Sequence, residues 1–280
     1  MFGGHGRGAV MSGLYKIEGA GNDFLLGIGD WAERLAGDSK LVRGLCDRRR
    51  GIGADGTLSV VRQSNRSVSL AYFNADGSEG LFCGNGTRCA ARAAVDLLGC
   101  DRQLEVVTGW AVIPAEVRGA EVSLTLPPVD DAPRPTGIVC PWAADGFHRL
   151  EVGVPHLVAR VEGLAGLDLE VVAAPFRSHP EAGPEGANVN LYEIGGEGVS
   201  VRTWERGVEA ETLSCGSGTV AVALVVMARD GKRRAVVLPA SGDRLTVEAL
   251  GEPPLCATRL TGPARIVGEI SLSEGFLAGF

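Results

Sequence analysis

The chain has 280 residues, of which 45% are apolar and 22% charged, with a net charge of −7. That balance suits a soluble globular protein that buries its core without disulfides or metal. It excludes the basic footprint of a nucleic-acid binder, and no stretch approaches the roughly 20 apolar residues that span a bilayer.

Residues 1–12 are glycine-rich and lack the apolar run of a signal peptide, so they are expected to be a loose extension of a cytoplasmic protein. The seven cysteines (Cys46, Cys83, Cys89, Cys100, Cys140, Cys215 and Cys256) are odd in number and include no C-x-x-C pair. Free thiols in a reduced compartment are therefore expected. The four histidines are too scattered to form a metal cluster, and no metal is predicted.

The first informative segment is Glu79-Gly80-Leu81-Phe82-Cys83-Gly84-Asn85-Gly86-Thr87. An apolar stretch without helix breakers follows from Arg88 to Leu98 and ends at Gly99, where a helix C-cap belongs. Leu104–Val107, Ala111–Val117 and Val122–Leu126 are short, β-branched and bounded by turn residues, which predicts strands. Pro127, Pro128, Pro133 and Pro135, with Asp130 and Asp131, read as a linker. Strands are predicted again over Arg149–Val152, Leu157–Val161 and Val199–Trp204. Glu211-Thr212-Leu213-Ser214-Cys215-Gly216-Ser217-Gly218-Thr219 then repeats the earlier segment at six of nine positions. A second apolar helix, Val220 to Arg229, ends at Gly231 and precedes strands over Arg234–Leu238 and Arg244–Ala249.

A repeat of this kind points to duplicated halves. A helix that is apolar all round is buried. The fold class expected is α+β, with two pseudo-symmetric domains, each a curved, mostly antiparallel sheet or barrel wrapped around a central helix. The domains are placed at 13–131 and 132–263, with 264–280 returning to the first.

A helix N-terminus presents unpaired N–H groups and about half a positive charge, so it binds anions such as carboxylate. Glycines beside the cysteine let the backbone approach that anion, and the field lowers a thiol pKa from roughly 8.5 toward neutrality. Two such ends facing one another would clamp a carboxylate and set a sulfur on each face of the adjacent carbon. That geometry suits inversion of an amino-acid α-carbon without a cofactor. A single C-G-x-G is weak, because a buried cysteine is more often a packing residue. The duplicated cysteine at duplicated helix starts tips the balance, since a binding protein without catalysis would need neither thiol. Neither copy continues as a phosphate-binding glycine motif.

At these residues the sequence resembles the diaminopimelate epimerase family. Gly21-Asn22-Asp23-Phe24, Gly51-Ile52-Gly53-Ala54-Asp55 and Phe73-Asn74-Ala75-Asp76-Gly77-Ser78 occur in the family's order, followed by Asn188-Val189-Asn190 and Glu205-Arg206-Gly207. The resemblance implies epimerisation of LL- and meso-2,6-diaminopimelate, without pyridoxal phosphate, in the route to lysine and peptidoglycan. It implies Cys83 and Cys215 as base and acid, tuned by Glu205 and His156. It further implies that Gly84, Asn85, Gly216 and Ser217 hold the reacting carboxylate, and that Asn22, Asn74, Asn188 and Arg206 hold the distal amino-acid end. On spacing alone, Glu205 reads as a surface charge and His156 as a packed histidine.

Three departures from the family pattern stand out. Val154 in Gly153-Val154-Pro155-His156 replaces an asparagine, Gly56 replaces a frequent glutamine, and the loop at Val208-Glu209-Ala210 is one residue longer. The first two remove polar contacts to substrate, so an epimerase of another amino acid, of proline, hydroxyproline or histidine type, is the alternative. The family's tyrosine linked to dimer contact has no clear counterpart in Ala264–Ile270, so a homodimer is left open.

Overall fold

The computed structural model describes residues 12–143 and 145–280; the expected extension at 1–12 falls almost wholly outside them. The first half opens with β1 (Gly13–Gly19) and β2 (Asn22–Ile28) and two short helices, α1 (Asp30–Gly37) and α2 (Ser39–Cys46). β3 (Gly56–Ser64), β4 (Ser67–Asn74) and β5 (Glu79–Gly80) lead into α3 (Gly84–Asp96), and β6 (Gln103–Val107), β7 (Val112–Arg118) and β8 (Glu121–Leu126) follow. A two-residue β9 (Arg134–Pro135) lies in the proline-rich connection and pairs with the second half.

The second half repeats the plan. β10 (Phe147–Val152), β11 (Val154–Arg160) and a helical connection containing α4 (Leu169–Val172) precede β12 (Asn188–Ile194), β13 (Val199–Glu205) and β14 (Ala210–Thr212). Then come α5 (Gly216–Asp230), β15 (Arg234–Pro239), β16 (Leu245–Ala249) and β17 (Thr258–Pro263). β18 (Arg265–Ile270) pairs antiparallel with β1, and α6 (Glu274–Leu277) ends the chain.

The strands of each half wrap its central helix. β6, β7 and β8 alternate buried and exposed residues, the period-two pattern of a sheet with one face on a core. α5 buries every residue from Gly216 to Met227, and each buried valine or leucine there contributes roughly 1.5–3 kcal/mol by leaving water. α3 is built from alanines so that the strands close tightly around it, yet it also buries Arg88 completely. The halves join where β17 pairs antiparallel with β8. Among the described residues, no helix is long and apolar enough to cross a membrane.

The strand registers make the duplication exact enough to name equivalent residues. The parallel pair β2–β3 sets Phe24 beside Gly56, and the parallel pair β11–β12 sets His156 beside Asn188. Leu58 faces Tyr72 in the first half and Asn190 faces Thr203 in the second. Phe24, Leu58 and Tyr72 thus correspond to His156, Asn190 and Thr203. The lining behind one cysteine is largely hydrocarbon, and behind the other it is a polar network.

Candidate active site

Cys83 and Cys215 are the N-cap residues of α3 and α5. Each has extended backbone dihedrals, and its sulfur takes the place of the usual capping oxygen. Gly86 N–H donates to Cys83 Sγ at 3.3 Å, and Gly218 N–H donates to Cys215 Sγ at 3.4 Å. The amides of Thr87 and Thr219 close the first turns onto the Cys83 and Cys215 carbonyls at 2.8 Å. The glycines of the motif have separate tasks. A Cβ at Gly218 would lie 2.2 Å from Asn190 Oδ1, and one at Gly86 would lie 3.0 Å from Leu58 Cδ2. Gly84 and Gly216 face one another across the seam. Asn85 ties the two helix starts together, its Nδ2 donating to Ser214 O at 2.9 Å.

An amide flanks each thiol, and the two amides are turned opposite ways. Asn22 Nδ2 donates to Asp55 Oδ2 at 2.6 Å, which leaves Asn22 Oδ1 facing the Cys83 thiol at 3.9 Å. Asn188 Oδ1 accepts from the Arg206 N–H at 2.7 Å, which leaves its Nδ2 donating to Cys215 Sγ at 3.9 Å. Asn22 and Asn188, expected at the distal end, therefore stand beside the sulfurs. The cause is a fixed partner that orients each amide. Ser217 Oγ also lies 3.6 Å from Cys215 Sγ. Asp55 is itself held by Arg48, which bridges Asp23 and Asp55 at 2.7 Å to each. Arg206 reaches Glu185 at 2.9 Å.

Burial opposes the helix field. It pushes the Cys83 thiol up to about 12, with the Gly86 N–H and the Arg88 cation pulling the other way. Cys215 is likewise raised by burial and by the nearby Glu205. The expected drop toward neutrality is outweighed, because desolvating a thiolate costs more than one turn of N–H donors returns. Glu205 is raised to about 7 by burial, with the Thr212 hydroxyl, 2.8 Å from its Oε2, pulling down. His156 is fully buried and lowered to about 3 by burial and by Arg206. Thr203 Oγ1 donates to Asn190 Oδ1 at 3.0 Å, so the Asn190 Nδ2 at 3.1 Å from His156 Nδ1 is the donor. That fixes the His156 proton on Nε2, which has no partner among the described residues.

Cys83 and Cys215 open onto one cavity of about 310 Å³ whose wall includes Asn74, Val154, Glu205 and Arg206. A connected cavity of about 350 Å³ shares Asn22, Tyr72, Asn74 and Glu205 and extends toward Arg48. A larger concavity of about 520 Å³, lined by Arg66, Glu105, Glu116 and Arg259, touches neither thiol, and we assign the chemistry to the smaller one. His156 lies behind this wall. In the 208–210 loop, Glu209 takes a φ of 55°. Among the described residues there is no group of three His, Cys, Asp or Glu side chains able to hold a metal ion.

Tyr72, Arg88 and Thr203 lie outside the motifs. Tyr72 lines both cavities; its signal is a strand position two residues before Asn74, on the same face. Arg88 follows the glycine motif by two residues, a charge inside an alanine-rich helix. Asn190 and Thr203 lie on the period-two faces of neighbouring strands, and only their register brings them together.

The family model described as diaminopimelate epimerase matches residues 14–123 and 149–267. The chain is 37% identical over 275 residues to the diaminopimelate epimerase of Methanothrix thermoacetophila, covering 94% of this chain and 96% of that protein. It is 38% identical over 269 residues to that of Chlorobaculum tepidum, covering 91% and 100%. In three dimensions it resembles a PhzF-family phenazine biosynthesis protein of Bacillus anthracis, with a TM-score of 0.71 at 13% identity, over 94% of this chain and 99% of that one. It also resembles a hydroxyproline epimerase of Agrobacterium vitis, with a TM-score of 0.66 at 18% identity, over 93% and 90%. Those two likenesses concern the fold alone.

Proposed function

The chain belongs to the diaminopimelate epimerase family and is an isomerase, and from that premise we propose that it interconverts LL- and meso-2,6-diaminopimelate, with Cys83 and Cys215 as its two proton-transfer groups. The observation that carries this reading is the pair of cysteine-capped helix starts opening onto one cavity.

The reacting carboxylate sits against the backbone N–H groups of Gly84, Asn85, Gly216 and Ser217. Burial raises both thiols; the α-ammonium of the substrate brings a positive charge that favours one thiolate, whose proton passes to solvent. This thiolate removes the α-proton, and the electron pair passes into the carboxylate, where the helix N–H groups stabilise it. The opposite thiol then gives its proton to the other face of the same carbon. One proton leaves and one arrives, so only configuration changes, and thiol and thiolate exchange places. The scheme calls for no cofactor. Glu205 sets the charge near both sulfurs, and His156 supports the Cys215 side through Asn190. Arg206 pairs with the distal carboxylate. The product would feed the route to lysine and peptidoglycan.

Deuterium uptake from D₂O into LL-diaminopimelate, followed by NMR without added cofactor, tests the reading. Exchange at one α-carbon, lost in Cys83→Ala and in Cys215→Ala, is expected. Exchange in proline, hydroxyproline or histidine instead would move the two-thiol chemistry to another substrate.

A further inference from the structure

We propose that Tyr72 is a specificity-determining residue whose hydroxyl oxygen binds the distal ammonium of the substrate, replacing the amide that position 56 lacks; the assignment rests on the epimerase reading above. The starting observation is why position 56 is bare. A Cβ there would lie 2.4 Å from the Phe73 carbonyl oxygen and 2.9 Å from Tyr72 Cε2. On the other side, a Cβ at Gly80 would lie 2.6 Å from Tyr72 Cδ1. The ring is slotted between two glycines, and Phe24 meets it edge-on with ring centroids 6.0 Å apart. The backbone has given up side chains at 56 and 80, and the Tyr72 ring fills the space.

Hydrogen bonding dictates what the hydroxyl can bind. Asp76 Oδ1 accepts from the Ser78 N–H at 2.8 Å and from Ser78 Oγ at 2.6 Å. Ser78 Oγ accepts from Asn74 Nδ2 at 3.0 Å, and Asn74 Oδ1 accepts from the Tyr72 hydroxyl at 2.6 Å. Every proton in this chain is directed toward Asp76. Tyr72 Oη and Asn74 Oδ1 are thereby left with lone pairs alone, and both residues line the cavities shared with the Glu205 carboxyl. Oxygen acceptors around a cavity that lies beside the thiols make a site for a cation, and an ammonium with three donors fits it. In the second half the equivalent hydroxyl, Thr203, is buried and donates to Asn190. Of these two equivalent positions, only Tyr72 lines the cavities.

Tyr72→Phe keeps the ring and removes the oxygen. Losing one hydrogen bond to a charged group predicts a rise in KM for diaminopimelate of roughly tenfold with kcat little changed. The control ligand is L-2-aminopimelate, which has the same carbon chain and both carboxylates but no distal ammonium. Its inhibition constant is expected to be the same for the wild type and Tyr72→Phe. An unchanged KM, or an equal loss for both ligands, would overturn the assignment, because a merely structural ring would treat the two alike. A wild-type enzyme inert toward diaminopimelate but active on another amino acid would overturn the epimerase reading first, and this assignment with it.

Discussion

Gly84 and Gly216 meet backbone to backbone: a Cβ built on Gly216 would lie 3.1 Å from Gly84 Cα and 3.3 Å from Asn85 N. The close approach of the two helix starts therefore depends on position 216 having no side chain. Gly216→Ala would have to move backbone, since Gly84 Cα and Asn85 N lie in the way together with Asn85 Oδ1. The shift needed is a few tenths of an ångström, where about 1 Å at a reacting centre costs about 100-fold in rate. We expect kcat/KM to fall by roughly threefold to tenfold, with the circular-dichroism spectrum preserved. Wild-type kcat/KM in Gly216→Ala would show that the close approach is not needed.

Arg88 predicts a second effect, on the thiol itself. It is completely buried with no carboxylate partner among the described residues, and its Nη2 donates to Asn85 Oδ1 at 2.9 Å. Asn85 in turn reaches across to Ser214, so Arg88 both orients the clamp and holds a cation near Cys83, lowering that thiol. Arg88→Met should raise the Cys83 pKa and slow its alkylation by iodoacetamide at any given pH between 8 and 10, whereas Arg88→Lys should retain much of the wild-type profile. The readout is peptide-resolved mass spectrometry of Cys83. Superimposable profiles for wild type and Arg88→Met would remove the electrostatic role.

How much of this was visible in the sequence follows from what each feature depends on. The two cysteines, the helices behind them and the two-barrel plan were legible because the repeat carries its own glycines and caps. The strands of residues 13–74 went unassigned. β2 buries five consecutive residues, Phe24 to Ile28, so it lacks the alternation that marks a one-sided strand, and its parallel partner β3 lies beyond two helices. The hydrocarbon–polar difference between the halves was hidden for another reason. His156, Asn190 and Thr203 are ordinary residues until register stacks them. The orientations of Asn22 and Asn188 depend on Asp55 and on the Arg206 backbone, which no local pattern announces.

Glu205 leads to a prediction about protons released on binding. Burial raises its carboxyl to about 7, so near pH 6 much of it is protonated before substrate binds. An ammonium bound beside it favours the carboxylate, and the proton should leave as substrate enters. Calorimetric titration with substrate at pH 6, repeated in buffers of different ionisation enthalpy, should show net proton release that is clearly smaller in Glu205→Gln. The same release in both proteins would place the titrating group elsewhere.

His156 makes the fold itself acid-sensitive. Its folded pKa is lowered to about 3, against an ordinary value of 6.5, because the ring is wholly buried. The sign follows from linkage. A lowered pKa contributes stability that is fully present above pH 6.5 and is lost as pH falls toward about 3, where the folded state finally takes up the proton. In that window the unfolded chain binds one more proton, and stability falls by up to about 1.4 kcal/mol per pH unit. Carboxylates add their own slope, so the test is a difference between proteins. Phe24 occupies the equivalent place in the first half, which makes His156→Phe the natural reference. Asn190 Nδ2 keeps its bonds to the Leu157 and Asn188 carbonyls in that variant, at 3.1 and 3.3 Å in the wild type. Between pH 7.5 and 4.5, urea unfolding should show the wild type losing roughly 3 kcal/mol more than His156→Phe. Equal losses in the two proteins would mean that the buried imidazole takes up its proton in the folded state as readily as in water, against the burial seen here.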